Sequence, residues 1–135
     1  MKTYEYTVNW FDLDATYHMT NTKYHEYVTL TRFKLLEDNG FNFAKIQSLG
    51  IAPIILEENN KFLKELRLNQ KFKVSSEVIK LSDTGHLWSF EHKFINEKEE
   101  VCAIVTTQGA WFSQKERKIV APTGELFEIV KSFQS

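Results

Sequence analysis

The sequence predicts an α+β domain in which one curved antiparallel sheet wraps around one long helix. Apolar residues recur at helical spacing between residues 22 and 38, and beyond residue 60 successive segments alternate apolar and polar side chains at period two. A chain of 135 residues fits a single domain, 1–135. Aromatic residues make up 14% of the chain, and we expect them to fill the space between the helix and the sheet.

The first element is predicted to be a half-buried strand over residues 4–11. Four apolar or aromatic side chains fall on one side of it at period two: Tyr4, Tyr6, Val8 and Trp10. Residues 12–21 break this alternation and are rich in turn and capping residues, so they predict a loop that leads into a helix. Asn21 or Thr22 is the expected N-cap of that helix.

The long helix is predicted over residues 22–38. Its inward stripe follows i, i+3 and i+4 spacing and consists of Tyr24, Tyr27, Val28, Thr31 and Leu35. Gly40 follows the last turn and suits a left-handed C-cap. Residues 41–49 are ambiguous and predict at most a short helical turn.

Most of the remaining chain predicts strands. Residues 51–56 are apolar but contain Pro53, which favours the start of a strand or the edge of a sheet. Residues 72–78 and 88–94 alternate, and the turn sequence between them at 82–85 is typical of a hairpin.

The last third of the chain predicts one buried strand and one helix. The nearly uninterrupted apolar run 101–112 is expected to lie centrally in the sheet. Pro122 and Thr123 introduce a short helix, whose expected inward side chains are Leu126, Phe127, Val130 and Phe133.

Composition and charge exclude several classes of partner. Lys and Arg number 17 against 18 Asp and Glu, for a formal net charge of -1, so the basic face of a nucleic-acid-binding protein is not expected. The longest clearly apolar run, 51–56, is shorter than the roughly 18 residues that a membrane span needs. The first residues lack the apolar stretch of a signal peptide, and the single Cys102 excludes an intrachain disulfide and a Cys-based zinc site. A cytoplasmic location is expected.

Residues with chemical potential are concentrated between positions 12 and 32. They occur in the order Asp12, Asp14, His18, Asn21, Tyr24, Tyr27 and Arg32. This spacing resembles the opening signature of hotdog-fold acyl-CoA thioesterases of the 4-hydroxybenzoyl-CoA and Tol-Pal-associated groups, approximately D-x-D-x-x-G-H-x-x-N-x-x-Y-x-x-Y-x-E-x-x-R. The segment 117–122 also looks like the family's closing R-K-x-x-x-P.

The resemblance implies a hotdog fold and hydrolysis of an acyl-CoA thioester to a free carboxylic acid and CoA. It places catalysis on Asp14, with CoA present only as part of the substrate and with no cofactor. It also implies a homodimer or homotetramer with each active site at a subunit boundary. A carboxylate in this position can act as general base for water or as a nucleophile that forms a mixed anhydride, and the sequence does not choose between them. The structural alternative for Asp14 is an Asx-turn.

The substrate-binding residues suggested by the resemblance are His18, Asn21, Thr22, Lys23 and Tyr24. Backbone amides near 22–24 are expected to lack intrahelical acceptors and to polarise the thioester carbonyl. Structural alternatives remain for three of these residues. His18 could be a loop histidine bonded to the backbone, Asn21 a helix cap, and Tyr24, like Tyr27, a core residue.

Two positions depart from the family pattern. Tyr17 stands where the family has Gly, a residue used for close approach or positive φ. Thr29 replaces the usual Glu, so Arg32 lacks its expected i−3 partner.

The remaining polar residues have structural interpretations. Asp12 is expected to bond the backbone of the turn, and the pair Asp12 and Asp14 is not expected to hold a metal because no nucleotide-binding fold accompanies it. Cys102 reads as a small buried residue. The other histidines, His25, His86 and His92, are expected at the surface or on a sheet face. The basic residues at 115–118 are expected on a solvated face, with contact to CoA phosphates as the alternative.

Three other functions stay open. One is thioester cleavage on acyl carrier protein. A dehydratase on the same fold is disfavoured, because no His/Glu or His/Asp pair occurs at the expected helix position. A non-catalytic acyl-ligand binder is made credible by Tyr17 and Thr29.

Overall fold

A computed structural model describes residues 2–135, in which a curled antiparallel sheet packs against one long helix. The elements in chain order are β1 (Lys2–Thr7), a short 3-10 turn (Trp10–Asp12), α1 (Asn21–Asp38), α2 (Phe43–Ser48), β2 (Ile51–Phe62), β3 (Lys71–Leu81), β4 (Leu87–Asn96), β5 (Val101–Ser113), β6 (Lys118–Ile119) and α3 (Gly124–Ser132).

The sheet has the strand order β1-β3-β4-β5-β2, with every neighbouring pair antiparallel and the two-residue β6 added to β5. The register shifts in the β2/β5, β3/β4 and β4/β5 pairs. Such bulges bend strands and increase their twist, so they help the sheet to curl around α1. The α+β hotdog architecture predicted from the sequence is confirmed.

The core forms two clusters along α1. Around its first half, Tyr24 and Val28 pack with Phe72 and Phe94 from the sheet. Around its second half the buried side chains come from α1, the sheet and α3: Leu35, Leu36, Trp88, Phe90, Trp111, Leu126 and Val130. Cys102 is buried in β5, as expected. Aromatic rings thus fill the space between the helix and the sheet.

Several boundaries agree with the sequence. The helix predicted over 22–38 spans Asn21–Asp38, and Gly40 has φ +91° beyond its end. The predicted hairpin is formed by β3 and β4, and the run 101–112 lies in β5, an interior strand. Pro53 lies in β2, which is an edge strand of this sheet path, where a missing amide donor is tolerated.

The strand predicted over 4–11 is too long at its end. β1 stops at Thr7, and Trp10 is 68% exposed at the start of the 3-10 turn. A capping box ends the strand: the Asn9 side chain accepts a hydrogen bond from the Phe11 amide, and the Asp12 carboxylate accepts one from the Asn9 amide. The alternation that predicted a strand therefore continues into a turn.

Gly109 in β5 lets two elements approach closely. A Cβ atom there would lie 2.2 Å from the Trp88 ring and 2.6 Å from the Ile54 carbonyl oxygen. We expect Gly109→Ala to destabilise the fold by about 2 kcal/mol, because the backbone oxygen cannot move as a side chain can. Urea unfolding measures this. Gly124→Ala is the matched control, since nothing lies within 4 Å of its Cβ position, and an equal loss in both variants would contradict the packing argument.

Candidate active site

The loop between the 3-10 turn and α1 is a tight, hydrogen-bonded reversal. The Asp14 amide donates to the His18 carbonyl over 2.9 Å, and the Tyr17 amide donates to the Asp14 carbonyl over 3.1 Å. The Met19 amide donates to the Leu66 carbonyl over 2.7 Å, which ties the end of the loop to the segment after β2. The position of Asp14 is therefore determined by the backbone on both sides.

Tyr17 adopts the left-handed conformation, with φ +64°. This explains why glycine suits the position, because an L-residue with a Cβ is strained there. Its side chain is 66% exposed, so packing compensates little for the strain.

We expect Tyr17→Gly to stabilise the protein by about 0.5 to 1 kcal/mol. The gain is the strain released in the left-handed region, reduced by the larger backbone entropy of glycine in the unfolded chain. Thermal unfolding measures it. Tyr17→Ala is the matched control, because alanine also loses the exposed ring but keeps the strain, and an equal gain in both variants would assign the effect to the ring.

The Asp14 side chain is exposed, and one of its two oxygens is held. Oδ1 accepts hydrogen bonds from the Thr16 amide over 2.8 Å and the Thr16 hydroxyl over 2.6 Å, and a longer one from the His18 amide over 3.4 Å. The hydrogen bonds from Thr16 lower the pKa of Asp14 below its ordinary value. Oδ2 makes no hydrogen bond with residues 2–135. Asp14 is therefore an ionised carboxylate in an Asx-turn with one oxygen left for another partner.

The His18 ring connects the loop to the segment that follows β2. Its Nδ1 lies 3.1 Å from the Thr16 hydroxyl oxygen, and its Nε2 lies 3.0 Å from Oε2 of Glu65. Because Thr16 also donates to Asp14, the polar groups form one chain from Asp14 through Thr16 and His18 to Glu65. The His18 ring thus bonds two side chains and no backbone atom among the described residues, which differs from the expected loop histidine bonded to the backbone, and its role toward a substrate stays a prediction.

Helix α1 begins one residue earlier than the sequence suggested. Its N-cap is Thr20, with extended backbone (ψ 148°), rather than Asn21 or Thr22. The Thr20 amide donates to the Asp12 carbonyl over 2.7 Å, which fixes the residue where the chain turns into the helix. Within the described chain the Asn21 side chain makes no hydrogen bond, so it does not act as a cap.

Because α1 begins one residue earlier, the backbone amides that lack an intrahelical acceptor also lie earlier in the sequence than the expected 22–24. The Lys23 amide donates to the Thr20 carbonyl over 3.0 Å, whereas those of Asn21 and Thr22 find no acceptor among the described residues. The Lys23 ammonium lies 2.9 Å from the carboxylate of Glu26, whose hydrogen bond raises the pKa of Lys23. The free amides are thus those of the first two helical residues.

Four of the six predicted site residues line one open cleft of about 260 Å³: Asp14, His18, Asn21 and Tyr24. Thr22 and Lys23 do not line it. The buried Tyr24 ring forms one wall, 5.0 Å from the Phe62 ring and 4.8 Å from the Phe94 ring between centroids. Burial raises the pKa of Tyr24 to about 12, so its phenol stays neutral.

The other wall of the cleft was missed by the sequence analysis. It is formed by residues 62–65 at the end of β2, together with Met19. The Leu63 and Lys64 amides both donate to the Cys102 carbonyl, over 2.8 and 3.0 Å, which holds this segment beside β5. Only the pairing of β2 with β5 brings it to the loop, and no local motif in 62–65 signals that pairing. Lys64 forms an ion pair with Glu100.

Asp12 and Tyr27 form a polar contact behind the site. The buried Asp12 carboxylate accepts hydrogen bonds from the Asn9 amide over 3.0 Å and the Tyr27 hydroxyl over 2.6 Å. Burial, followed by this bond, raises the pKa of Tyr27. Both residues therefore support the loop, as expected for Asp12. Among residues 2–135, no three His, Cys, Asp or Glu side chains lie close enough together to hold a metal ion.

Comparison with known proteins assigns the class. The family model described as the thioesterase-like superfamily matches residues 8–129. This chain belongs to that superfamily. It is 24% identical over 128 residues to a protein of Aquifex aeolicus (strain VF5) named "Putative esterase". The alignment covers 95% of this chain and 96% of that relative.

Solved structures share the fold. A hypothetical protein from Staphylococcus aureus, solved in complex with CoA, has a TM-score of 0.89 at 17% identity, covering 98% of this chain and 85% of the other. A 1,4-dihydroxy-2-naphthoyl-CoA thioesterase from Synechocystis has a TM-score of 0.86 at 16% identity, covering 96% and 94%. In the part of this chain that the structure covers, no helix has the length and apolarity that crossing a membrane requires.

Proposed function

We propose that this protein hydrolyses an acyl-CoA thioester to a free carboxylic acid and CoA. The observation that carries the proposal is the position of Asp14, whose ionised carboxylate with an unbonded Oδ2 lines the same cleft as the acceptor-free start of α1. The superfamily and the CoA-related names of the similar structures agree with this chemistry.

Helix α1 supplies the electrophilic half of the proposed mechanism. The amides of Asn21 and Thr22 and the positive end of the helix dipole lie where they polarise a thioester carbonyl placed at the helix start. As negative charge develops on the carbonyl oxygen, these donors stabilise it. One such donor contributes about 3 kcal/mol in the transition state of acyl transfer.

Asp14 supplies the other half by one of two routes. As general base, it takes a proton from water while the water oxygen bonds the carbonyl carbon, and the tetrahedral intermediate then collapses to the acid and expels the CoA thiolate. As nucleophile, Oδ2 bonds the carbonyl carbon, the thiolate leaves, and water hydrolyses the resulting mixed anhydride. In the general-base route the proton held by Asp14 then passes to the departing thiolate, and in the nucleophilic route solvent protonates it, so both routes give free CoA thiol.

The walls of the cleft divide the substrate between two environments. Tyr24, Phe62, Leu63 and Met19 give an apolar surface suited to the acyl group. Lys64 follows Leu63 in the segment 62–65 that lines the cleft, and in the proposed complex its ammonium exchanges Glu100 for a phosphate of CoA. His18, Asn21, Thr22, Lys23 and Tyr24 remain the proposed substrate-binding residues.

Free thiol release tests the proposal. Short-chain, long-chain and aromatic acyl-CoAs are incubated with the protein, in parallel with the same acyl groups on acyl carrier protein, and binding is measured with the same compounds. Release of CoA supports the proposal and identifies the acyl class. Release only from the carrier protein, or tight acyl-CoA binding with no release from any substrate, selects the carrier-protein thioesterase or the non-catalytic binder instead.

We further propose a homodimer or homotetramer in the cytoplasm. Trp10 and Phe11, 68% and 87% exposed, lie beside the loop that carries Asp14 and offer the aromatic surface that a partner subunit would cover. Light scattering after size-exclusion chromatography measures the mass, and a monomer at micromolar concentration would contradict this.

A further inference from the structure

Glu65 lines the cleft together with Asp14 and His18, and the proposed mechanism assigns it no role. Its Oε2 atom lies 3.0 Å from Nε2 of His18 and 3.2 Å from Nη2 of Arg67. His18 and Arg67 are also paired through an isolated antiparallel bridge. The loop that carries Asp14 and the segment that carries Glu65 are therefore held side by side.

The hydrogen of the Thr16 hydroxyl is committed to Asp14. A hydroxyl group carries one hydrogen, and an ionised carboxylate can only accept. The distance of 2.6 Å between Oγ1 of Thr16 and Oδ1 of Asp14 therefore requires that this hydrogen lie between them. Nδ1 of His18 lies 3.1 Å from the same hydroxyl oxygen and can bond it only by donating a hydrogen of its own. Nδ1 is accordingly protonated.

The same reasoning protonates the other ring nitrogen of His18. The carboxylate oxygen of Glu65 presents only lone pairs to Nε2 at 3.0 Å, and an unprotonated Nε2 would present another lone pair to them. A hydrogen on Nε2 replaces this repulsion with a charge-assisted attraction. With a hydrogen on each nitrogen, the His18 ring is an imidazolium cation between the Asp14 side of the loop and Glu65.

The other titratable groups around the ring do not replace these partners. Burial raises the pKa of Tyr24 to about 12, so its phenol is neutral. Lys64 forms its ion pair with Glu100. Arg67 contacts the same oxygen of Glu65, and its positive charge opposes the cation on the ring. The two carboxylates of the cleft are therefore the groups that favour the doubly protonated ring.

We propose that Glu65 is a positioning residue for the proposed hydrolysis, which keeps His18 doubly protonated and so directs the Thr16 hydroxyl to Oδ1 of Asp14. With Oδ1 occupied in this way, Oδ2 is the oxygen left to act on water or on the thioester. Without the charge of Glu65, Nδ1 of the ring would lose its hydrogen to solvent, and the Thr16 hydroxyl would turn to that nitrogen and release Oδ1. The effect on the reaction rests on the proposed function, whereas the protonation of the ring does not.

Nitrogen-15 NMR of the histidine side chains at neutral pH measures the protonation of the ring. The chain has four histidines, and the His18 signals are assigned by their absence in His18→Gln. In the natural protein both His18 nitrogens should have the chemical shifts of protonated ring nitrogens. In Glu65→Gln one of them should have the shift of an unprotonated nitrogen, because the isosteric amide lacks the charge. A neutral His18 ring in the natural protein, or an unchanged ring in Glu65→Gln, would overturn the proposal.

Thiol release measures the effect on the reaction. Glu65→Gln should lower kcat about tenfold with KM unchanged, because Asp14 is less often correctly oriented. Arg67→Gln is the matched control, since it removes the other ion pair of Glu65 and should retain both the doubly protonated ring and the natural kcat. An unchanged kcat in Glu65→Gln would overturn the positioning role, and a raised KM with unchanged kcat would do so by assigning Glu65 to substrate binding.

A titration of Asp14 separates failure of this inference from failure of the proposed hydrolysis. The carbon-13 signal of the Asp14 carboxyl is followed as the pH falls, over the range in which circular dichroism shows a folded protein. Because the Thr16 hydroxyl lowers the pKa of Asp14, Glu65→Gln should raise the midpoint by about one pH unit, whereas loss of a negative charge alone would lower it. If no substrate releases thiol, the proposed hydrolysis fails, and the ring signals and this midpoint still decide whether Glu65 directs Thr16 to Asp14. Equal midpoints in the two proteins would overturn the proposal.

Discussion

Replacing Asp14 with Asn is expected to lower kcat/KM for acyl-CoA hydrolysis about 1000-fold, the range that a positioned general base contributes. Asn retains an oxygen that can accept the hydrogen bonds from the Thr16 amide and hydroxyl, so the loop should keep its conformation. The charge that activates water or attacks the thioester is lost. The initial rate of free thiol release, at substrate concentrations well below KM, gives kcat/KM, and circular dichroism checks the fold.

Asp83→Asn is the matched control for this variant. Asp83 is also an exposed turn aspartate, but it lies in the turn between β3 and β4 and does not line the cleft. Its kcat/KM should equal that of the natural protein. Full activity in Asp14→Asn would remove Asp14 from the mechanism, and equal losses in both variants would point to a general effect of charge.

The pH profile of the same assay carries a second readout. Because the hydrogen bonds from Thr16 lower the pKa of Asp14, the carboxylate remains ionised across the neutral range. The rate should therefore fall only in acid, as Asp14 becomes protonated. Label that enters the Asp14 side chain during turnover in oxygen-18 water identifies the nucleophilic route, since this happens only when a mixed anhydride forms and water attacks its Asp14 carboxyl carbon.

His92→Gln is expected to change how stability depends on pH. The His92 ring is fully buried on the inner sheet face, and its Nε2 lies 3.0 Å from the Ser76 hydroxyl oxygen. Burial, and next the positive charge of Arg32, lower the pKa of His92 to about 3. The folded protein thus holds a neutral ring, whereas the unfolded chain protonates it near pH 6.5.

The direction of the effect follows from proton linkage. Below pH 6.5 the unfolded state binds a proton that the folded state does not, so the stability held above pH 6.5 is lost as the pH falls towards 3. Near pH 3 the loss due to this ring amounts to about 4 kcal/mol. In His92→Gln this component should vanish, and the free energy of unfolding should fall less steeply over that window.

Urea unfolding at a series of pH values measures the slope. His25→Gln is the matched control, because it removes a half-exposed histidine and leaves the buried cluster intact. If the natural protein and His92→Gln lose stability equally between pH 6.5 and pH 3, the buried neutral ring is not the source.

Local patterns predicted the elements that local interactions determine. The helical spacing that ends before Gly40 gave α1 to within one residue, and the alternation around residues 82–85 gave the β3/β4 hairpin. The grouping of Asp14, His18, Asn21 and Tyr24 at one cleft was also foreseeable, because these residues lie within one loop and the first turn of one helix.

Features that depend on distant pairing could not be predicted in this way. Residues 62–65 reach the cleft only through the pairing of β2 with β5. The predicted strand 4–11 was too long because apolar and polar residues continue to alternate beyond Thr7, where β1 ends, into the turn that the Asn9/Asp12 capping box forms. The burial of Arg32 was not predicted although the helical spacing places it on the inward stripe, four residues after Val28 and three before Leu35, because a charged side chain is ordinarily expected at the surface.

The two acceptor-free amides at the start of α1 also give the site its own reporters in solution. Asn21 and Thr22 should exchange their amide hydrogens with solvent rapidly, whereas that of Lys23, bonded to the Thr20 carbonyl, should exchange slowly. A ligand carbonyl at the helix start would protect the first two and leave the third unchanged. Adjacent residues therefore record occupancy of the site and integrity of the helix separately, in one spectrum and without a labelled substrate.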